Sequence, residues 1–151
     1  MNLSDHDMAE LTKMFAPLLE WLDVDVYKKN PKVGFNMDMY HSQIYALDFR
    51  GVKCKETVCI IGYIWKHNEF ETHRDYGYAI IEDIIEKFNF DDTEKVKKVL
   101  NLFSYENDDI VAYIDLKKIK PYQAAAVIRY FLKTGKVKWN KFIDYGQISG
   151  G

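Results

Sequence analysis

The apolar patterning of this 151-residue chain predicts an α+β fold: a small, mainly antiparallel sheet of about three to four strands packed with about four helices, in the order α-β-β-α-α-β-α. Two observations carry the prediction. Several segments repeat apolar residues at helical spacing between recognisable caps and stops, and three runs are dense in β-branched and aromatic residues.

The first helix starts at Ser4-Asp5-His6-Asp7, where Ser4 can cap and the acidic groups suit the positive end of the helix dipole. Met8, Leu11, Met14, Phe15, Leu18 and Leu22 form its apolar stripe, and Pro17 inside it predicts a kink or two short helices. Residues 23–40 are the least regular region, and within its KKNPKVG stretch Lys28, Lys29, Asn30, Pro31 and Gly34 read as a turn or exposed loop. QIYALDF (43–49) and TVCIIGYIW (57–65) read as two strands, and the RGVKCKE segment between them makes an antiparallel hairpin the simplest pairing. The second run is apolar at both parities, Val58, Ile60 and Ile64 against Cys59, Ile61, Tyr63 and Trp65, which predicts a central strand covered on both faces.

Tyr78, Ile81, Ile84, Ile85 and Phe88 are spaced for a second helix. FDDTEKVKKVLNLF opens a third, with Asp91 or Asp92 as cap and Val96, Val99, Leu100 and Phe103 inward. DIVAYIDL (109–116) reads as the third strand. The last helix has Pro121 in its first turn, Lys133 in its last and Gly135 just beyond, with Ala124, Val127, Ile128 and Phe131 as its stripe. Val137, Trp139, Phe142, Ile143 and Tyr145 give the tail enough apolar surface to dock. The expectation is a single domain over residues 1–151, with 146–151 as a flexible tail.

A net charge of −2, from 21 basic and 23 acidic residues, supplies no strong field for nucleic acid or an anionic membrane. The N-terminus is acidic where a signal peptide is basic, and no apolar run approaches the roughly 18 residues that span a bilayer. Both features predict a cytoplasmic protein with Cys54 and Cys59 as reduced thiols. Richness in lysine, Ile, Asn, Tyr and Phe suits an AT-rich source, here expected to be bacterial or phage.

Residues 67–75, HNEFETHRD, place His67, Glu69, Glu71, His73 and Asp75 at alternate positions, one face of an extended chain. Ligands two apart on a strand lie roughly 6.5 to 7 Å from each other, so two neighbours could reach one ion but five could not; the best subset is His67, Glu69 and His73, with Cys59 or Cys54 as a further candidate. The C-x4-C-x7-H-x5-H spacing is too short for a zinc finger, and the HxE lacks the later P-C-x-x-C of a zinc deaminase. A polar connector, with Thr72 or Asp75 capping the next helix, is the simpler reading. Cys59 with His67 or His41 would make a nucleophile pair, but its apolar run favours an inert core thiol.

With 11 Tyr, 9 Phe and 3 Trp the chain is aromatic-rich, and tyrosine favours interfaces. The leading expectation is therefore a small cytoplasmic binding module, an inhibitor, immunity or phage anti-defence protein, with another protein as partner and no cofactor. Its expected surface comprises Glu82, Asp83, Glu86, Asp91, Asp92, Tyr105, Glu106, Trp139 and Tyr145. One alternative is a metal- or acid–base-dependent hydrolase or nuclease using His67, Glu69, His73 and Asp75. A second is weak nucleic-acid binding through Lys28, Lys29, Lys32 and Lys133, Lys136, Lys138 and Lys141 with Trp139 and Tyr145 interleaved.

Overall fold

The computed structural model describes residues 2–29, 31, 33–37, 41–43, 56–68, 77–104 and 115–144. Among these the chain is mostly helical, and the α+β expectation is corrected. Five α-helices are present: α1 (Asp5–Asp23), α2 (Ile60–His67), α3 (Gly77–Lys87), α4 (Thr93–Leu102) and α5 (Pro121–Thr134). The strands β1 (Val33–Phe35), β2 (His41–Gln43) and β3 (Glu56–Val58) are three residues each. β3 lies between the others, parallel to β1 and antiparallel to β2. So small a ribbon offers no layer to pack on, and the helices bury their stripes mainly against each other.

The largest departure is the run 57–65. Only its first two residues belong to β3; Cys59 then caps α2, its Sγ accepting from the Gly62 N–H at 3.4 Å. Ile60, Ile61, Ile64 and Trp65 are all buried. A short run that is apolar at both parities fits a strand covered on two faces and a helix covered nearly all round equally well. Here α1 and α3 provide that surround, and burial overrides the β preference of Ile, Tyr and Trp. Of the other expected strands, 44–49 and 109–114 lie outside the described residues, while Leu116 opens a 3-10 turn, Leu116–Lys118.

The remaining helices follow their sequence signals closely. α1 is one helix of 19 residues through Pro17, so of the two outcomes expected there, a kink or two short helices, the second is corrected. The carbonyl that loses its donor to Pro17 is that of Lys13, on the exposed face where water can serve it. Ser4 accepts from the Asp7 N–H at 3.1 Å and Asp92 from the Lys95 N–H at 3.1 Å, each closing a helix N-terminus. Gly135 stops α5 at φ 78°, a left-handed cap whose N–H reaches the Phe131 carbonyl.

The core is centred on α1, α4 and α5. Phe15, Phe103 and Phe131 meet edge to face at 5.4, 6.3 and 5.5 Å, pairs worth about 0.5–1.5 kcal/mol each beyond burial. Trp139 closes the far side, 4% exposed, its indole N–H donating to the Leu102 carbonyl at 2.8 Å.

Candidate functional site

The C-terminal end of α1 runs straight into a 3-10 turn, Asp25–Tyr27, and then into the lysine-rich loop. That junction builds two adjoining features, an exposed apolar corner and a pocket.

The corner comes first in the chain. Val24, Tyr27 and Tyr122 are 51%, 55% and 54% exposed, and they are the large hydrophobic side chains left at the surface among the described residues. All three belong to one place. The Tyr27 N–H reaches the Val24 carbonyl at 3.2 Å, and the Tyr27 hydroxyl accepts from the Tyr122 backbone N–H at 3.0 Å, in the first turn of α5. The phenol thereby supplies an acceptor to an otherwise unpaired helix donor. It also fixes one exposed ring beside the base of the other. Arg129 on α5 forms a two-pronged ion pair with Asp23 at the end of α1, which holds the two helices in register under the corner.

The pocket, about 450 Å³, is lined by Trp21, Asp25, Lys28, Lys29, Pro31, Val33 and Tyr63. Its aromatic wall is a stack: Trp21 lies over Tyr63 at 4.2 Å, and His67, the last residue of α2, lies over Tyr63 at 5.6 Å. Phe35 meets Trp21 edge on, and the Trp21 indole N–H donates to the Val33 carbonyl at 3.0 Å, fixing the ring. The Tyr63 hydroxyl makes no hydrogen bond among the described residues. Burial, then the nearby carboxylates of Asp25 and Glu20, push this phenol up from its ordinary range, so it stays a donor in neutral solution. Lys28 pairs with Asp25 at 2.7 Å, which raises the ammonium. Lys29 is exposed and has no ion pair among the described residues. Among the described lining residues two lysines face the Asp25 carboxylate, and Glu20 is near enough to act on both Lys28 and Tyr63.

The sequence-derived candidates are distributed quite differently. His67 ends a helix rather than starting an extended segment, and Glu69, Glu71, Thr72, His73 and Asp75 lie outside the described residues. Cys59 is fully buried, and desolvation pushes its thiol up to about 12 despite the helix N-terminus it caps. A thiol so protonated is no nucleophile at neutral pH.

Several of the acidic groups are engaged within the fold itself. Glu82 pairs with Lys97 at 2.6 Å, and Asp92 caps α4. Asp91 accepts from the Ser4 hydroxyl at 3.1 Å, Asp83 is half-buried, and Glu86 is exposed. Trp139 is in the core; Tyr105, Glu106 and Tyr145 lie outside the described residues, as do His41's side chain, Cys54 and Lys32. Lys133, Lys136, Lys138 and Lys141 are exposed, but the neighbouring ring is Tyr130, under Lys141 at 5.4 Å, rather than Trp139.

One further cluster has ligand-type atoms close together: His6, Asp7 and Asp91, mutually within 4.8 Å. Its donor atoms are already occupied. Both Asp7 oxygens accept backbone N–H groups, of Asp91 at 2.6 Å and Asp92 at 3.0 Å, and His6 Nε2 bonds the Asn89 carbonyl at 2.7 Å. This is a brace between the start of α1 and the turn before α4.

Nothing in spacing announced the corner or the pocket, because their parts come from residues 21–33, 63 and 122. The available signal was the unpaired-looking KKNPK loop directly after Trp21 and Tyr27. No protein-family model, no curated protein and no solved structure matches the chain.

Proposed function

We propose that the protein is a binding module that docks another protein on the corner formed by Val24, Tyr27 and Tyr122, acting in the cytoplasm as an inhibitor, immunity or phage anti-defence factor. The observation that supports this reading is the gathering of the exposed large apolar side chains into that one corner. Isolated exposed apolar groups are ordinary, whereas a cluster with two tyrosines has the composition of an interface. The hydrogen bond from the Tyr122 N–H to the Tyr27 hydroxyl holds one ring before any partner arrives, which lowers the entropy cost of docking. A cytoplasmic setting suits Cys59, a buried thiol without a disulfide. Among the described residues no helix is long and apolar enough to cross a membrane.

The test is capture of partners from lysates of the source and of competing or infecting strains, followed by affinity measurement on the purified pair. A Val24→Ser/Tyr122→Ala variant should lose at least about tenfold in affinity, the cost of truncating an interface anchor, while Glu82→Gln/Glu86→Gln binds as wild type. A stoichiometric complex indifferent to the corner variant would sink the proposal.

A further inference from the structure

Beside the corner, and independent of what docks there, the pocket has the build of a small-molecule site. From its lining we infer that it takes a carboxylate carried on an apolar body, a monoanionic organic acid rather than a phosphate ester.

The volume of about 450 Å³ falls in the range of small-ligand pockets, and the lining joins apolar surface to a few polar groups, as such pockets do. Trp21, Pro31 and Val33 form the apolar part. The Trp21 ring is fixed by its indole hydrogen bond and by Phe35, so this wall is rigid before a ligand enters. One face of Tyr63 is covered by Trp21 and the ring is also flanked by His67, so a planar ligand gains little by stacking on it. What Tyr63 offers is its hydroxyl, a donor with no partner among the described residues.

Charge narrows the ligand further. Asp25 already neutralises Lys28, leaving Lys29 as the cation not so engaged. One such ammonium and one phenol donor match the two oxygens of a carboxylate. A dianionic phosphate would be left under-compensated, the nearby Asp25 and Glu20 carboxylates acting against a dianion more strongly than against a monoanion. The apolar wall requires that the acid carry a hydrocarbon or aryl group; formate or acetate would leave it uncovered.

The same chemistry exists as a free organic acid and as the C-terminal carboxylate of a peptide ending in an apolar residue. Titration of the intact chain, followed by proton–nitrogen correlation spectra with the Trp21 indole signal assigned by Trp21→Phe, separates the two. The probes are phenylbutyrate, its uncharged analogue phenylbutanamide, inorganic phosphate, and a hexapeptide with a free C-terminal leucine.

Saturable movement of the Trp21 signal by phenylbutyrate, binding about threefold to fivefold tighter than the amide, supports the inference, the margin being that of one partly exposed ion pair. That margin should vanish in Lys29→Gln, while Tyr63→Phe keeps the ring stack and weakens the acid alone. Stronger movement by the hexapeptide than by phenylbutyrate supports the same site with a peptide terminus as its ligand. Equal binding of acid and amide, a margin untouched by Lys29→Gln, phosphate competing as well as the acid, or no movement with any carboxylate at millimolar concentration would each overturn it. The corner variant Val24→Ser/Tyr122→Ala should bind phenylbutyrate as wild type does, so failure of the docking proposal and failure of this one are read separately.

Discussion

Two surfaces of this molecule, one crowded with charge and one with exposed apolar side chains, use their groups in opposite ways. Around the turn between α3 and α4, Asp7, Asp91, Asp92, Glu82, Lys95 and Lys97 are tied to one another or to backbone groups. At the end of α1, the Val24 side chain and the rings of Tyr27 and Tyr122 are exposed, and Lys29 and the Tyr63 hydroxyl have no polar partner among the described residues. A charged group already paired gains little from a partner, because docking must first break what it has. Crowding of charge marks the first surface and exposure of apolar rings marks the second. It is the second that has binding capacity left over.

The sharpest way to break this contrast is at Asp7. Its side chain is buried, and both carboxylate oxygens serve backbone N–H groups across 84 and 85 residues of chain. Asp7→Ala strands two donors in the turn before α4 and is expected to cost about 3 kcal/mol, the scale of hydrogen bonds to a charged group lost without replacement. Urea unfolding measures it. A loss under about 1 kcal/mol would mean that the acidic turn is not the self-satisfied structure described above.

A smaller effect belongs to the other surface. Tyr27→Phe keeps the exposed ring and deletes the oxygen that accepts from the Tyr122 N–H. Losing a helix-terminal acceptor costs typically about 1 kcal/mol, less where water can replace it, as at this exposed site. The expected outcome is about 0.5–1 kcal/mol in unfolding free energy with partner affinity changed far less than by Val24→Ser/Tyr122→Ala. Equal loss of affinity in both variants would show that it is the fixed position of Tyr27, and not apolar area, that the corner contributes.

How far these surfaces were legible in the chain follows from where their parts lie. Helices α1, α4 and α5 were readable because cap, stripe and stop are local: Ser4, Asp92, Pro121 and Gly135 sit where the helix ends need them. Helix α2 was not, because eight residues with apolar groups on every side carry no period that separates a buried helix from a buried strand. The error then spread to function. Taking His67 as the start of an extended stretch put five polar side chains on one face, whereas a helix ends at that residue. The acidic cluster was visible, but its internal pairing depends on Ser4 and Asp7 meeting Asp91 and Asp92, which only the fold reveals. The pocket depends likewise on Tyr63 meeting Trp21, and that follows from α2 being a helix packed on α1.

The finest test of the contrast is electrostatic. His6 is exposed, yet its ring is drawn into the acidic turn by the hydrogen bond to the Asn89 carbonyl, with Asp91, Glu10 and Asp7 as nearby charges. These interactions favour the protonated ring and raise its pKa above the ordinary value of about 6.5. A group whose folded pKa is raised stabilises the fold fully below its unfolded pKa and loses that contribution as pH climbs through the folded one. The unfolding midpoint should therefore fall slightly between about pH 6 and about pH 8, and His6→Asn should remove that part of the fall. Proton NMR of the His6 ring should give a titration midpoint above the ordinary value of about 6.5. A His6 midpoint at or below the ordinary value would mean that the turn does not draw on its histidine. The acidic surface would then have charge to offer a partner after all, and the distinction between the two surfaces would rest on the apolar corner alone.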